Sequence, residues 1–446
     1  MSRFGAYVRI LRLSGPLAIG MVNVAVMQFV DRAFLARESM AALEAVLPAA
    51  MLANVLICFF QSVVGYSGQL VAQYAGAGDL GQARLAGRVG ALVAVLAGAA
   101  SLLAIPLGKL AIDFSTGSAE LAANEFAYFS ILTAGSVFLY LQLGLAAYYT
   151  GLGRTRVALI ANLVGNLANL VLDPLFIFGW CGFPAWGIKG AAVATVLAGA
   201  VQWLLLFCWR WRDARQGELP PVAKGGRELL GRLLRFGMPA GVYSVLNLLS
   251  FTIFVLVTGR VGELELAVSN ACFSVNYLLI APMEGFALGA ATLVGQAQGR
   301  RDSEAAWRDG NRTIVLALVV VTVLSLLAWA LARPILGLFA PGDPVRAEAF
   351  VALGLRLFPL MVAWQLFDAA DVVISGALKG AGDTRFVMNL MLLMAFGVWL
   401  PLVFAVSRFH NTMVALWGTI VIYVVLMAVG AILRWRRGTW RRIRVI

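Results

Sequence analysis

Charged side chains are scarce in this sequence of 446 residues. Only 13% of the residues are charged, whereas a soluble globular protein carries about 25%. Hydrophobic residues make up 61% of the chain, and the mean hydropathy is +0.87. This composition excludes a soluble globular protein and indicates that much of the apolar surface faces lipid.

Histidine and cysteine are also rare, which limits the chemistry that the chain can perform. The single histidine, His410, lies in a short polar joint, so a histidine-rich metal site is not predicted. Cys58, Cys181, Cys208 and Cys272 lack metal-ligand or redox spacing and are expected to be buried small residues. No segment has the glycine and lysine pattern of a P-loop. The sequence therefore predicts no enzyme, no cofactor and no ATP-driven pump.

Apolar segments that are long enough to cross a membrane recur along the whole chain. A spanning helix needs ~20 largely apolar residues, and the sequence contains twelve such segments. They lie near residues 13–35, 46–75, 88–112, 122–150, 157–180, 187–209, 232–258, 268–297, 313–333, 346–377, 386–407 and 412–433. The first of them is too long for a cleaved signal peptide. The predicted fold class is an all-α membrane protein with twelve transmembrane helices.

The net charge of +13 is distributed unevenly between alternate loops. Most of the 35 Lys and Arg residues fall at the two termini and in even-numbered loops, including the cluster from Arg210 to Arg235. The positive-inside rule then places both termini in the cytoplasm, with the chain in the inner membrane. The basic residues 435–446, with Trp435 and Trp440, are interpreted as an anchor near anionic lipid rather than a nucleic-acid-binding arm.

The sequence contains an internal repeat. Residues 13–17 recur as 236–240, each with a proline in fourth position, and residues 71–79 align at the same spacing with residues 294–302. With a small insertion, the segment from Gly151 also recurs further along the chain, as residues 380–385. Each half therefore contains six helices in the same orientation, and transporters of this plan bind substrate between two lobes.

The repeat also predicts the domain boundaries. Residues 1–210 form an amino-terminal lobe of six helices, and residues 232–434 form a carboxyl-terminal lobe of six. Between them, residues 211–231 contain two adjacent prolines and are predicted to be a cytoplasmic linker. Residues 435–446 are predicted to be a basic cytoplasmic tail.

Two acidic residues of the first half lie at similar predicted depths. A carboxylate inside the membrane costs at least ~2.5 kcal/mol, so each one requires a function or a partner. At ~1.5 Å per residue, Asp31 and Asp173 both lie roughly 25 Å from the inner face. Asn162, Asn166 and Asn169 continue a polar stripe on the same helix face as Asp173. Two carboxylates and amide oxygens suit a hard cation, and two neighbouring carboxylates also favour a shared proton.

Structural alternatives exist for both acids. Asp31 is alternatively a cap near the outer interface, or it pairs with Arg32 or Arg37. Asp173 precedes Pro174, so its alternative role is at a helix break.

Three further acids lie in predicted spans of the second half. Asp368 and Asp371 are three residues apart and share a helix face, and Glu284 lies in the middle of another helix. The equivalent positions in the first half are Leu139, Gln142 and Gln61, none of which is acidic. The fold therefore does not need these acids, which favours a functional role.

Taken together and in order, several segments make the chain resemble the multidrug and toxic compound extrusion family, MATE, over essentially its whole length. These segments are Phe29 to Leu35, Val71 to Asp79, Gly151 to Thr155, Asn169 to Pro174, Val294 to Gly299 and Ser375 to Gly380. The resemblance implies two pseudo-symmetric six-helix lobes. It also implies secondary active export of cationic or amphipathic organic compounds in exchange for H⁺ or Na⁺.

The resemblance extends to individual residues. Asp31, Asn169 and Asp173 match the family's amino-terminal cation site, a candidate Na⁺ site, and Thr195 matches its helix 6 hydroxyl. Asp368 matches an acid of the NorM-like branch, but the helix 7 acid of that branch falls at the neutral Asn247. The amino-terminal lobe is therefore predicted to bind the ion, as in the DinF-like branch. Glu284, Asp368 and Asp371 are then predicted to lie near the substrate or to form a second proton site.

The predicted partners are small organic cations or amphipathic drugs and membrane lipids, without nucleic acid, and a monomer suffices for the mechanism. The alternative function is that of a lipid-linked oligosaccharide or lipid flippase of the same superfamily. Flippases usually favour basic cavities, whereas the interior predicted here is acidic.

Overall fold

The computed structural model is built of helices and describes residues 3–38, 40–115, 118–217, 221–410 and 412–446. The side chains of residues 3, 29, 32–33, 35–38, 40–49, 115 and 120 lie outside this description. No β-strand occurs among the described residues. The predicted all-α fold class is therefore confirmed.

The described residues form sixteen α-helices. They are α1 Arg3–Glu38, α2 Met40–Gly65, α3 Ser67–Gly76, α4 Leu80–Leu103, α5 Ile105–Ser115, α6 Ala119–Gly151, α7 Thr155–Ile177, α8 Ile188–Arg215, α9 Gly226–Thr258, α10 Glu263–Gly299, α11 Ser303–Ala330, α12 Ala332–Gly337, α13 Pro344–Gly380, α14 Thr384–Leu392, α15 Leu400–Phe409 and α16 Met413–Arg437. A π-helical segment, Leu393–Trp399, joins α14 to α15.

Twelve helical segments of the described chain are long and apolar enough to cross a membrane, and this confirms the predicted number. The helices extend beyond the apolar segments, because polar residues continue the backbone hydrogen bonds past the hydrophobic part. For example, α1 begins at Arg3, and α8 continues to Arg215. Since α9 begins at Gly226, helix occupies both ends of the predicted linker 211–231. Residues 218–220 of that linker lie outside the described residues.

The chain divides into two compact units. The first unit contains residues 1–18, 242–294 and 302–444. The second unit contains residues 19–241, 295–301 and 445–446. The predicted lobe boundaries stay a prediction.

The loops that precede α4 and α11 show the internal repeat in atomic detail. The Asp79 side chain caps α4 by accepting a hydrogen bond from the Gln82 N–H at 2.9 Å, and Asp302 caps α11 in the same way at 2.8 Å. The residue before each cap is left-handed, with φ of +79° at Gly78 and +61° at Arg301. Equivalent positions therefore adopt the same backbone conformation, although one is glycine and the other is arginine.

An ion pair is also repeated, with its charges exchanged. In the second unit, the Arg154 Nη1 donates to Asp213 Oδ2 at 2.8 Å, which joins the start of α7 to the end of α8. In the first unit, the Arg434 Nε near the end of α16 donates to Asp383 Oδ2 at 2.7 Å, just before α14. Asp383 is the repeat equivalent of Arg154. Both halves of the repeat thus contain this ion pair, but the carboxylate lies at the end of α8 in one half and before α14 in the other.

The end of the chain is packed against the protein. Trp435 and Trp440 are buried and stack with their ring centroids 4.3 Å apart. The Trp440 indole donates to the Trp435 carbonyl, and Arg441 forms an ion pair with Glu304 on α11. The interpretation of these tryptophans as lipid anchors is therefore wrong, because their rings contact protein.

The rare residues agree with the sequence analysis in part. His410 follows α15 and is exposed, as predicted for a polar joint. Cys272 is buried and Cys58 is half-buried, but Cys181 and Cys208 are exposed, contrary to the expected burial. Cys181 lies in a short turn after α7, and Cys208 lies on an outer face of α8.

Candidate functional site

The second unit contains a polar stripe along α7. The Asn23 side-chain amide of α1 donates to the Asn162 carbonyl oxygen at 3.0 Å, so the stripe also joins these two helices. Further along α7, Asn169 and Asp173 are both buried. Pro174 lies inside α7, which continues to Ile177. Asp173 therefore lies within a continuous helix, which disfavours the helix-break alternative.

Asp31 and Asp173 come together as the sequence predicts. Their carboxyl groups lie within hydrogen-bonding distance of each other, and Asn169 lies close enough to Asp173 to interact with it electrostatically. The Asn169 amide nitrogen has no hydrogen-bond partner among the described residues. Asp173 Oδ2 is buried and accepts no hydrogen bond from the described part of the chain. Two carboxylates in contact repel unless a proton or a cation lies between them. The pair is therefore a candidate site for H⁺ or Na⁺.

Sequence reasoning missed an aromatic neighbour of this pair. Tyr128 on α6 is half-buried and interacts electrostatically with both Asp31 and Asp173. Its place in a long apolar segment gives no signal in the sequence. The alternative pairing of Asp31 with Arg32 or Arg37 involves side chains that lie outside the described residues.

Thr195 has a local hydrogen bond. Its hydroxyl donates to the Ala191 carbonyl at 3.0 Å, one turn earlier on α8. Such bonding to the preceding turn is common for threonine within helices. No described contact joins Thr195 to the carboxyl pair, so its place in the ion site stays a prediction.

The oxygen ligands of this pair suit Na⁺ better than a transition metal. No three His, Cys, Asp or Glu side chains among the described residues gather to hold a metal ion. Two carboxylates and the Asn169 amide instead supply the hard oxygen ligands that alkali and alkaline-earth ions prefer. Asp31, Asn169 and Asp173 would hold such an ion.

The first unit contains a second acidic cluster, organised by α13. Asp368 is half-buried and Asp371 is buried. The Ser375 hydroxyl, one turn later, donates to Asp371 Oδ1 at 3.1 Å. Lys379 follows after one further turn, so Asp371, Ser375 and Lys379 share a face of α13.

Lys379 is the functional candidate that sequence reasoning passed over. Its ammonium lies 3.9 Å from the centroid of the Tyr243 ring on α9, which is within the range of a cation–π interaction. It also interacts electrostatically with Asp371 and with Glu284 on α10. The spacing of Asp371, Ser375 and Lys379 was the available signal.

The remaining predicted residues lie on helices around this cluster. Glu284 is exposed, although the apolar part of α10 is 83% buried. Asn247 lies one turn after Tyr243 on the same face of α9. Its backbone carbonyl accepts a hydrogen bond from Ser250, and no described contact joins its side chain to the acids.

Aromatic rings adjoin the acidic cluster. Trp364 lies one turn before Asp368 on α13, and its ring stacks on Phe251 at 5.9 Å between centroids. Phe251 also contacts Trp399 at 5.1 Å. Three carboxylates, one ammonium and several aromatic rings therefore lie near one another in the first unit, and carboxylates and aromatic faces are groups to which organic cations bind.

Comparison with known families identifies the scaffold. The family model described as MatE matches residues 16–175 and 239–405, which together make up most of the chain. These two matched segments correspond to the two halves of the repeat.

The chain is similar to proteins of several bacteria. A probable multidrug resistance protein NorM of Pseudomonas aeruginosa is 26% identical over 92% of this chain and 85% of its own length. A relative of the same name from Thermotoga maritima is 24% identical over 84% of this chain and 80% of its length. The multidrug resistance protein NorM of Vibrio vulnificus is 25% identical over 85% of this chain and 83% of its length.

Solved structures share the fold. An outward-facing multidrug resistance MATE family transporter has a TM-score of 0.87 with 19% identity, covering 98% of this chain and 97% of that chain. A transporter of the MOP superfamily from Pyrococcus furiosus has a TM-score of 0.85 with 20% identity, covering 97% and 95% respectively. At these identities the likeness establishes the architecture alone.

Proposed function

The chain belongs to the MatE family, whose members are transporters rather than enzymes, and on this premise we propose that it exports drugs in exchange for an ion. The names of the bacterial relatives, multidrug resistance proteins NorM, support this proposal. The proposed cargo is a cationic or amphipathic organic compound, and the coupling ion is H⁺ or Na⁺.

The contact between Asp31 and Asp173 carries the proposal. When both carboxylates are ionised, their repulsion favours uptake of a proton or a sodium ion from the outside. Binding of one such ion removes one of the pair's two negative charges and relieves the repulsion. It thereby changes the relative free energies of the transporter's conformations, which is how a bound ion drives transport. Release of the ion inside would then reset the site. Asn169 lies beside Asp173 and offers an amide oxygen to a bound ion, and Tyr128 supplies a hydroxyl near the pair.

The cluster around Asp368 and Asp371 is the proposed cargo site. Its carboxylates attract a cationic group, while Phe251, which is half-buried and backed by the buried ring of Trp364, offers flat apolar surface to the rest of the molecule. Glu284 adds an accessible negative charge. Lys379 offsets part of this charge and thereby limits how many positive charges on a cargo are favoured.

The proposed orientation places both termini in the cytoplasm. The protein is a multi-pass membrane protein with twelve spans in its described residues. The excess of Lys and Arg at the termini and in the even-numbered loops supports this orientation in the inner membrane. One chain contains both proposed sites, so a monomer is sufficient.

Transport into proteoliposomes tests the ion site. Drug flux is measured under an imposed pH gradient and, separately, under an imposed sodium gradient. We expect one gradient to drive flux, and we expect Asp31→Asn and Asp173→Asn each to reduce that flux at least tenfold. Asp113→Asn is the matched control, because Asp113 is exposed and pairs with Lys109. Undiminished flux in both site variants would refute the proposed coupling.

The cargo site is tested by substrate charge. Asp368→Asn should weaken transport of a monovalent organic cation more than transport of a neutral analogue, because only the cation loses an electrostatic partner. Glu348→Gln is the control, since Glu348 is an exposed residue paired with Arg333. Equal losses for the cation and the neutral analogue would argue against direct charge recognition.

A further inference from the structure

Three helices of the second unit form a groove at the end where α4 begins and α8 ends. α6 packs against both α4 and α8, and Tyr148 near the end of α6 is buried between them. Gly87 of α4 makes room for this ring, since a Cβ atom there would lie 2.6 Å from Tyr148 Cδ2. From α8, the Arg210 guanidinium carbon lies 4.4 Å from the centroid of the same ring.

Arginines from both walls converge over Tyr148. Arg84, on α4, interacts electrostatically with Tyr148, with Arg210 across the groove and with Arg88 one turn later. Arg84 and Arg210 are half-buried, and Arg88 is exposed. Three like charges therefore lie close together at one end of the unit. Like charges repel one another, so binding of an anion between them is electrostatically favoured.

The nearest carboxylate along α8 is already engaged. Both oxygens of Asp213 accept hydrogen bonds from Arg154, and Oδ2 also accepts one from the Tyr149 hydroxyl at 2.9 Å. The Arg210 Nη1 is buried and has no hydrogen-bond acceptor among the described residues. Asp213 therefore does not satisfy this donor, and the positive charge of Arg210 is not paired with a carboxylate of α8.

The two walls also expose apolar side chains deeper in the predicted bilayer. Leu92 and Leu96 follow Arg88 by one and two turns along α4, and both are about half exposed. Leu204 and Phe207 precede Arg210 on α8 and are exposed to a similar extent. Basic groups at the edge of the membrane, with apolar surface beside them at acyl-chain depth, match the two parts of a phospholipid.

We propose that Arg84, Arg88 and Arg210 form a binding site for the headgroup phosphate of an anionic phospholipid. Guanidinium groups bind phosphate oxygens through paired hydrogen bonds. Three cations in excess favour a headgroup with net negative charge over a zwitterionic one, whose own ammonium offsets the phosphate. The acyl chains lie along the exposed apolar residues of α4 and α8.

Binding of phosphatidylglycerol to the purified full chain tests this site. Phosphatidylglycerol or phosphatidylcholine is titrated into neutral detergent micelles, and retained lipid is counted by native mass spectrometry. At about fivefold in affinity per arginine, the double substitution of Arg84→Gln and Arg210→Gln should weaken phosphatidylglycerol binding roughly 30-fold. The double substitution of Arg260→Gln and Arg346→Gln removes the same charge from exposed positions elsewhere and should leave binding unchanged.

Two further measurements distinguish loss of binding from misfolding, and a lipid headgroup from free phosphate. Arg88→Gln changes an exposed residue and should weaken binding about fivefold, which provides a readout if the double variant does not fold. Equal phosphatidylglycerol binding by the wild type, Arg88→Gln and the double variant would overturn the proposal. Inorganic phosphate provides a second test. If it displaces the lipid and raises the melting temperature as much as phosphatidylglycerol does, the site is one for a free anion, and the proposal is overturned.

Discussion

The ion pair between Arg154 and Asp213 has a counterpart with exchanged charges in the other half of the repeat, and it leads to a quantitative prediction. The side chain of Asp213 is 3% exposed, whereas that of Arg154 is 40% exposed. Arg154→Gln would therefore leave a buried carboxylate with Tyr149 as its remaining strong donor, and we expect a loss of about 2–3 kcal/mol. Asp213→Asn leaves a guanidinium that water can reach, so its cost should be smaller, about 1 kcal/mol.

Exchanging the two residues should restore most of this loss. The combined Arg154→Asp and Asp213→Arg substitutions reproduce the arrangement that the first unit already has. There, Asp383 precedes α14 and Arg434 lies near the end of α16. The hydroxyl of Tyr149 can accept from the new arginine instead of donating to the aspartate. We expect the exchanged protein to melt within roughly 1 °C of the wild type.

Thermal unfolding in detergent, followed by size-exclusion chromatography with fluorescence detection, measures these effects. Arg154→Gln should melt roughly 3 °C below the wild type. As a control, exchanging Lys109 and Asp113, which are both about half exposed, should change the melting temperature little. The reasoning is refuted if the exchanged protein melts no higher than Asp213→Arg alone, because the two positions would then not be equivalent.

Three further predictions follow from single residues. Lys379→Gln should lower the KM for dicationic cargo by about tenfold while leaving the KM for neutral cargo unchanged. Lys379→Arg should resemble the wild type. Equal changes in KM for both cargoes would contradict the proposed role of Lys379. Tyr128→Phe should weaken ion-driven flux several-fold, whereas the same change at Tyr140, which bonds to Ser101, should not; equal flux in the two variants would remove Tyr128 from the site. Arg301→Gly should raise the free energy of unfolding by about 0.5 kcal/mol, because glycine adopts the left-handed backbone conformation without strain. Gly78→Ala should lower it by about 1 kcal/mol for the same reason. Changes of opposite sign in thermal unfolding would contradict the assignment of a strained left-handed conformation to these two positions.

The sequence predicted the scaffold well because hydrophobicity and repetition act over long segments. The twelve spans follow from the length of the apolar runs. The repeated Asp79 and Asp302 predicted equivalent turns, and each caps the helix that follows it. Helix ends were less predictable, because polar residues such as those at the start of α1 extend a helix without extending its apolar part.

The proximity of the candidate site residues was predictable where buried charge was the signal. Asp31 and Asp173 were paired by depth, and their carboxyl groups do lie together. Lys379 was missed because a lysine near the end of a helix resembles an ordinary interfacial residue, and its contact with Tyr243 depends on how α9 and α13 pack. Tyr128 was missed for a similar reason, since a tyrosine in an apolar run carries no charge to mark it.

The environment of the two tryptophans in residues 435–446 could not be predicted from the composition of this segment. Basic residues with interleaved tryptophan are typical of a membrane surface. Here Trp440 instead stacks on Trp435 inside the first unit, where its indole N–H has a carbonyl acceptor. An aromatic ring with a polar edge suits either environment, and tertiary packing decides between them.

Coupling of an ion gradient to drug export is the function proposed for the Asp31 and Asp173 pair. Its most direct test is the ratio of drug flux with and without the driving gradient, measured in the same proteoliposomes for the wild type, Asp173→Asn and Asp113→Asn. We expect the wild type and Asp113→Asn to show the same large ratio and Asp173→Asn to show a ratio near one. A large ratio for a well-folded Asp173→Asn would contradict the claim.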